Sequence, residues 1–365
     1  MTTCSQLIAD PLYQINLCLW MLQPSTGVVV KSILRDSGYT LVDIEPPIPL
    51  LSELADSLCE RGISLSDPVR PELLIVSGDR EFVLVECKKS MFGSEPQPGM
   101  GDSQWKQARS LLLQAPKVLA TALALTDVHE THVLYLACHD ASVDQTEGLR
   151  AISGALQEQG YEVADFGLIG LVADDRRVML RSGYAAGQMP KNLTSLGEDL
   201  IVVHEPDDTD GDPRPLYLLP WMPGLGLDGE SYVQEAFGNR LLAAAAATLA
   251  LATPPVEVDL NLDALLDLAT LGTFSRWRDK SAKSNLRRDC RSLVRKATTG
   301  AMPKVQMRDL PGAASALSIT LETAEMREGI VESFRKWEPE AWTKPDELQL
   351  FDDDVGRGPT GSSDQ

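Results

Sequence analysis

Glu72, Glu86 and Lys88 stand at the ends of two short apolar runs, Leu73-Leu74-Ile75-Val76 and Phe82-Val83-Leu84-Val85. Alternate residues of a strand face the same side, so Phe82, Leu84, Glu86 and Lys88 share one face while Val83, Val85 and Cys87 share the other. A strand that begins apolar on both faces and ends in a carboxylate and an ammonium must pair those charges or bring them to a rim, because an unpaired buried charge is costly. Two neighbouring carboxylates repel each other unless a cation sits between them. A hard divalent ion with oxygen ligands suits that place, Mg²⁺ first and Mn²⁺ as its substitute. Lys88, two residues beyond Glu86, could then orient or help deprotonate a water attacking phosphorus.

Whether the carboxylates meet depends on the turn Ser77-Gly78-Asp79-Arg80. Opposed residues of a hairpin have positions of constant sum. A three-residue loop, Gly78 to Arg80, pairs Ser77 with Glu81 and carries Glu72 opposite Glu86. A two-residue loop, Gly78-Asp79, opposes Glu72 to Val85 and turns the carboxylates to different faces. The metal site requires the longer loop or a bulge. The bland alternative is an ion pair between Glu86 and Lys88 on a solvated rim.

Pro71-Glu72, thirteen intervening residues and Glu86-Cys87-Lys88 resemble the P-(D/E)-x(n)-(D/E)-x-K signature of the PD-(D/E)xK, or restriction-endonuclease-like, nuclease superfamily. The resemblance covers about residues 50 to 115. It implies an α/β fold with a mixed sheet flanked by helices. It makes Glu72 and Glu86 metal ligands, the carbonyl of Cys87 a third ligand and Lys88 the catalytic lysine. Many members carry a Gln on the following helix, here Gln104 or Gln107, and often an acidic residue on the preceding helix, here Glu53 or Glu60. The implied activity is Mg²⁺-dependent endonucleolytic hydrolysis of DNA, in a restriction, phage-defence or repair system. The rival is a non-catalytic subunit that keeps the fold as a DNA- or protein-docking module in a larger complex, and the partners expected are DNA and either another protein or a second copy of the chain as a homodimer. Glu72, where the family more often has Asp, favours that rival.

A net charge of −20 argues against broad affinity for phosphate, but it hides an uneven distribution. Between Thr273 and Arg308 lie eleven basic residues against Asp279 and Asp289 alone. A helix over 281 to 298 gathers Leu286, Cys290, Leu293, Val294 and Ala297 on one face, with Arg288, Arg291 and Arg295 opposite. Arg276, Arg278, Lys283 and Arg287 complete a cationic surface that could track a nucleic-acid backbone. The same surface could equally meet acidic groups of its own chain.

The elements that must position these residues follow from periodicity and punctuation. Apolar spacing predicts a helix over 7 to 22, strands over 28 to 33 and 39 to 44, and a helix over 50 to 60 stopped by Gly62. Past the hairpin come a loop over 92 to 101, a helix from Ser103 to about Leu113 with Pro116 at its end or a restart, a strand over 132 to 137, a helix over 146 to 159, and strands over 161 to 172 and 176 to 181. This order gives an α/β domain over residues 1 to 186. Residues 187 to 343 read as mostly helical, with helices at about 230 to 252, 261 to 272, 281 to 298 and 311 to 337 and a short strand at 304 to 307. Residues 344 to 365 read as a disordered tail.

Other signals were weaker. His129-Glu130-Thr131-His132 lacks the spacing of H-E-x-x-H and reads as structural, and the acidic loop over 205 to 213 lacks the closing Glu of an EF-hand. Phosphate-binding P-loop and G-x-S-x-G motifs are absent. Six cysteines without a C-x-x-C pair suit a reduced, cytoplasmic setting, and the apolar run from Leu241 to Thr253 is too short to span a membrane.

Overall fold

The computed structural model describes residues 4–24, 30–88, 102–138, 142–174, 177–182, 190, 193, 201–204, 217–219, 221–222, 227–228, 231–302, 305–309 and 316–336. The loops expected over 92–101 and 205–213 and the tail over 344–365 lie outside them. The chain forms two compact units, Met1–Leu227 with Ser275–Lys280, and Asp228–Phe274 with Ser281–Gln365. The first therefore runs well past the boundary expected near residue 187.

The first unit opens with α1 (Cys4–Leu7) and α2 (Pro11–Met21). The apolar stretch expected as one helix is broken where Asp10 caps α2, its Oδ1 accepting from Leu12 N at 3.0 Å, and Pro11 takes the first helical turn. Then follow α3 (Ile33–Asp36), β1 (Thr40–Ile44), α4 (Ser52–Glu60), β2 (Leu73–Val76), β3 (Glu81–Lys88), α5 (Asp102–Leu112), α6 (Pro116–Ala122), β4 (Glu130–Cys138), α7 (Ser142–Glu158), β5 (Asp165–Ala173), β6 (Val178–Ser182) and β7 (Ile201–His204). Of the strand expected over 28 to 33, Val30 makes a bridge to His204 while Ile33 already begins α3. Gly62 and Gly160, at φ of +75° and +86°, end α4 and α7 in a left-handed conformation that other residues resist.

Seven strands form one mixed sheet in the order β1-β2-β3-β4-β5-β6-β7. The pairs β3–β4 and β4–β5 are parallel and the remaining four are antiparallel. The parallel pairs need crossovers, which α5 with α6 and then α7 supply. These helices pack on the sheet face that carries Leu74, Phe82, Leu84, Val133 and Leu168, with Trp105, Leu112, Ile152 and Leu156 in the same core. Each such side chain stabilises the fold by roughly 1.5–3 kcal/mol. The opposite face of β3 packs against α2. The central strands are thus covered on both faces, and the charges at their ends inherit that burial.

Two strands, β8 (Trp221–Met222) and β9 (Leu227–Asp228), form a small ribbon. The second unit contains α8 (Ser231–Ala250), β10 (Val256–Asn261), α9 (Leu262–Ala269), α10 (Thr273–Arg276), α11 (Lys280–Ala301), β11 (Met307–Asp309), β12 (Ala316–Leu321) and α12 (Ala324–Arg335), α10 ending in the segment assigned to the first unit. It is less helical than expected, because β10, β12 and β11 form an antiparallel sheet. The helix expected over 311 to 337 is instead β12 followed by α12. Leu317, Ile319 and Leu321 repeat with a period of two, and Thr323 caps the helix by accepting from Met326 N at 3.1 Å. Among the described residues no helix is long and apolar enough to cross a membrane.

Candidate metal centre

The β2–β3 hairpin takes the longer loop. Leu73 pairs with Val85 and Val76 with Phe82, and Ser77 N donates to Glu81 O at 3.0 Å, so the loop is Gly78 to Arg80. Arg80 takes φ of +61°, the left-handed third position of a three-residue hairpin loop. Continued by one pair, this register sets Glu72 opposite Glu86 on the face that carries Leu74 and Leu84. Cys87 turns to the other face, where its thiol meets Cys18 of α2.

Both carboxylates are buried, Glu72 to 8% exposure and Glu86 to 0%. Lys88 Nζ donates to Glu86 Oε1 and, at 2.8 Å, to Gln107 Oε1 on α5. Cys87 N donates to Glu72 Oε2 at 3.0 Å. Glu86 Oε2, buried as well, has no hydrogen-bond partner. Burial first, and then the neighbouring Glu86, push the Glu72 pKa well above the usual carboxylate range, although Lys88 and the Cys87 N–H pull it down. Burial also works against the Lys88 ammonium, but Glu86 and Glu72 outweigh it, so its pKa is raised. The result is a buried acidic pair at a strand end, with a fixed cation on one oxygen.

The sequence reading and the structure part at the flanks. Gln107, not Gln104, reaches Lys88, and among the described residues no hydrogen bond joins Gln104 to the cluster. The two lie three residues apart on one helix face, and sequence alone does not choose between them. Glu53 and Glu60 lie exposed on α4 rather than beside the pair. Cys87 touches Glu72 through its N–H, and among the described residues no hydrogen bond joins its carbonyl to the pair. Gln14 escaped the sequence reading: buried on α2, it donates to the carbonyls of Ile8 at 2.7 Å and Lys88 at 3.1 Å. A buried Gln amid apolar helical residues was the available signal, and it says only that partners are needed.

The five apolar residues expected on one face of α11 are all buried. Much of the cationic face is engaged within the chain. Arg287 makes a two-pronged contact with Asp263, at 2.6 and 2.9 Å, and lies with Lys283 over the Phe274 ring. Arg288 contacts Asp289 at 3.2 Å. Arg278 donates its backbone N–H to buried Asp43 at 2.9 Å, its guanidinium standing 3.9 Å away. Arg276 is exposed, whereas Arg291 and Arg295 are half-buried.

A second group lies at the other end of β3. Glu81 pairs in register with Glu130, and His132 stands two residues along the same face of β4. His132 Nε2 is 3.0 Å from Glu81 Oε1 and 3.6 Å from Glu130 Oε2. The three could hold a metal ion. The rejected His129-Glu130-Thr131-His132 spacing fails as a helical motif, as expected, and His129 instead contacts the Asp79 carbonyl at 3.0 Å. What the local motif lacks, a ligand from a different strand, is supplied by β3. No family model, curated protein or solved structure matches this chain.

Proposed function

We propose that the first unit is a metal-dependent deoxyribonuclease of the PD-(D/E)xK type, an endonuclease hydrolysing phosphodiester bonds with Mg²⁺, or Mn²⁺ in its place. The observation that carries this reading is the buried Glu72–Glu86 pair, two carboxyls side by side with Lys88 held against them. Two carboxylates so placed are costly without a cation, and an all-oxygen donor set suits a hard one. The hairpin register, the parallel β3–β4 crossover and the Gln107 contact are all consistent with it.

Glu72 and Glu86 would hold the ion, which when bound supplies positive charge against the phosphate. The chain's own groups do the rest. Lys88 positions a water through its ammonium, Gln107 holds that ammonium toward the pair, and Gln14 fixes the Lys88 backbone. The exposed Arg276, in the segment Ser275–Lys280 that belongs to the first unit, would contribute a phosphate contact and a salt-dependent affinity. A defence, restriction or repair role rests on the resemblance alone.

The deciding experiment compares wild type, Lys88→Ala and Glu86→Gln on linear, circular and single-stranded DNA, with Mg²⁺, Mn²⁺ or EDTA. Metal-dependent cleavage by wild type, lost in both variants, supports the reading. One observation favours the docking reading instead: both carboxylates are nearly inaccessible and one is already paired with Lys88. DNA binding without cleavage in any metal, unchanged by Lys88→Ala, would select it.

A further inference from the structure

We propose that Glu81, Glu130 and His132 form a second metal site, selective for Zn²⁺ over Mg²⁺, that clamps the N-terminal ends of β3 and β4. It is separate from the Glu72–Glu86 pair, since Glu81 and Glu86 are five residues apart along one strand, about 16 Å.

His132 is 3% exposed, and among the described residues neither of its ring nitrogens has a hydrogen-bond partner. A buried imidazole without partners is costly, and such groups ordinarily find them. Glu81 Oε1 lies 3.0 Å from Nε2, close enough to accept, so the shortfall is one of direction: the oxygen sits off the ring N–H axis. That is how two ligands of one ion stand. With bonds of about 2.0–2.1 Å, the edge of a tetrahedral zinc site is roughly 3.3 Å. The 3.0 and 3.6 Å separations from Nε2 to the two carboxylates bracket that edge.

The surroundings fit a built site. Tyr39 donates its hydroxyl to Glu81 Oε2 at 2.8 Å, which orients the carboxylate and leaves Oε1 turned to His132. The two strands hold Glu81 and Glu130 in register, so the ligands need little rearrangement. The Glu130 side chain is 40% exposed, which gives an ion a way in and leaves room for water as the fourth ligand. An imidazole with two carboxylates suits Zn²⁺, whereas Mg²⁺ prefers an octahedron of oxygens and keeps its waters. The ion would join β3 to β4, because Glu81 and the Glu130–His132 pair come from different strands.

The test strips the full chain of metal with a chelator, then measures Zn²⁺ uptake by competition with a chromophoric zinc indicator and Co²⁺ uptake by visible absorption. One equivalent of Zn²⁺ is expected, displaced by Mg²⁺ only at a large excess, with the intense Co²⁺ bands of a four-coordinate site. Glu130→Gln and His132→Asn should each weaken Zn²⁺ about a hundredfold or more, and Tyr39→Phe about tenfold. Glu86→Gln should leave it unchanged. The half-exposed Glu130 keeps the test valid should His132→Asn misfold, with equal melting of the metal-free proteins as the control. Uptake below one equivalent, equal affinity for Mg²⁺, weak octahedral Co²⁺ bands, or binding indifferent to Glu130→Gln would each overturn the proposal.

Discussion

The backbone N–H of Cys87 donates to Glu72 Oε2 at 3.0 Å, so the strand that carries Glu86 itself grips the opposing carboxylate. That contact holds together two acids that would otherwise separate. Burial and Glu86 raise the Glu72 pKa, while Lys88 and this N–H limit the rise. The metal-free pair is therefore under electrostatic load.

The load has a pH signature. A carboxyl whose folded pKa is raised stabilises the fold below its unfolded pKa, near 4.5, and that contribution is lost as pH rises through the folded value. Metal-free wild type should therefore melt progressively lower relative to Glu72→Gln as pH rises across this range. Glu72→Gln should flatten the slope and melt higher at neutral pH, each kcal/mol gained being roughly 2–4 °C. Mg²⁺ affinity should rise with pH in wild type, since the ion displaces a proton, and be lost in the variant. Melting curves from pH 4 to 9 with and without Mg²⁺ decide it, and an equal slope in the two proteins would count against a loaded pair.

Gln107 is expected to matter where Gln104 does not. Gln107→Ala removes the 2.8 Å acceptor on Lys88 Nζ and should lower the cleavage rate about tenfold with little change in melting. Gln104→Ala should leave the rate within twofold. Equal effects of the two substitutions would argue that Gln107 holds nothing specific.

Much of this site was legible because a strand period of two and a hairpin sum rule are strict. They placed Glu86 and Lys88 on one face and tied the meeting of Glu72 and Glu86 to the length of one loop, which Arg80 then fixes by adopting a left-handed conformation. Side-chain reach is less strict, so Gln107 was indistinguishable from Gln104, and Gln14 arrives from a helix seventy-four residues away from Lys88. The second group was illegible for the same reason: Glu130 and His132 lie two residues apart in sequence, but Glu81 joins them only through parallel pairing. In the second unit, β12 reads as helix in the sequence because its two-residue period covers only six residues.

Arg80 offers a test of the loop itself. A non-glycine residue at φ of +61° is strained by about 1 kcal/mol, and its backbone carbonyl, which accepts from His129 N at 3.1 Å, survives substitution. Arg80→Gly should therefore raise the melting temperature by roughly 2–4 °C. A fall would mean that the Arg80 side chain stabilises the loop by more than the strain it carries.

His204 sets an acid limit on the first unit. It lies buried in β7, its Nδ1 2.7 Å from the Tyr13 hydroxyl, and burial lowers its pKa from 6.5 to about 4. In the neutral tautomer with the proton on Nε2, the hydroxyl donates and Nδ1 accepts. Because the folded pKa is depressed, the unfolded chain takes up the proton first as pH falls. Stability from the neutral ring is then fully present above pH 6.5 and lost as pH falls through about 4. The loss amounts to about 3 kcal/mol at most. Wild type should lose melting temperature steeply over that window, and His204→Asn, which cannot titrate, should start lower at pH 7 yet fall less steeply. Parallel curves would show that His204 is not what titrates in the fold.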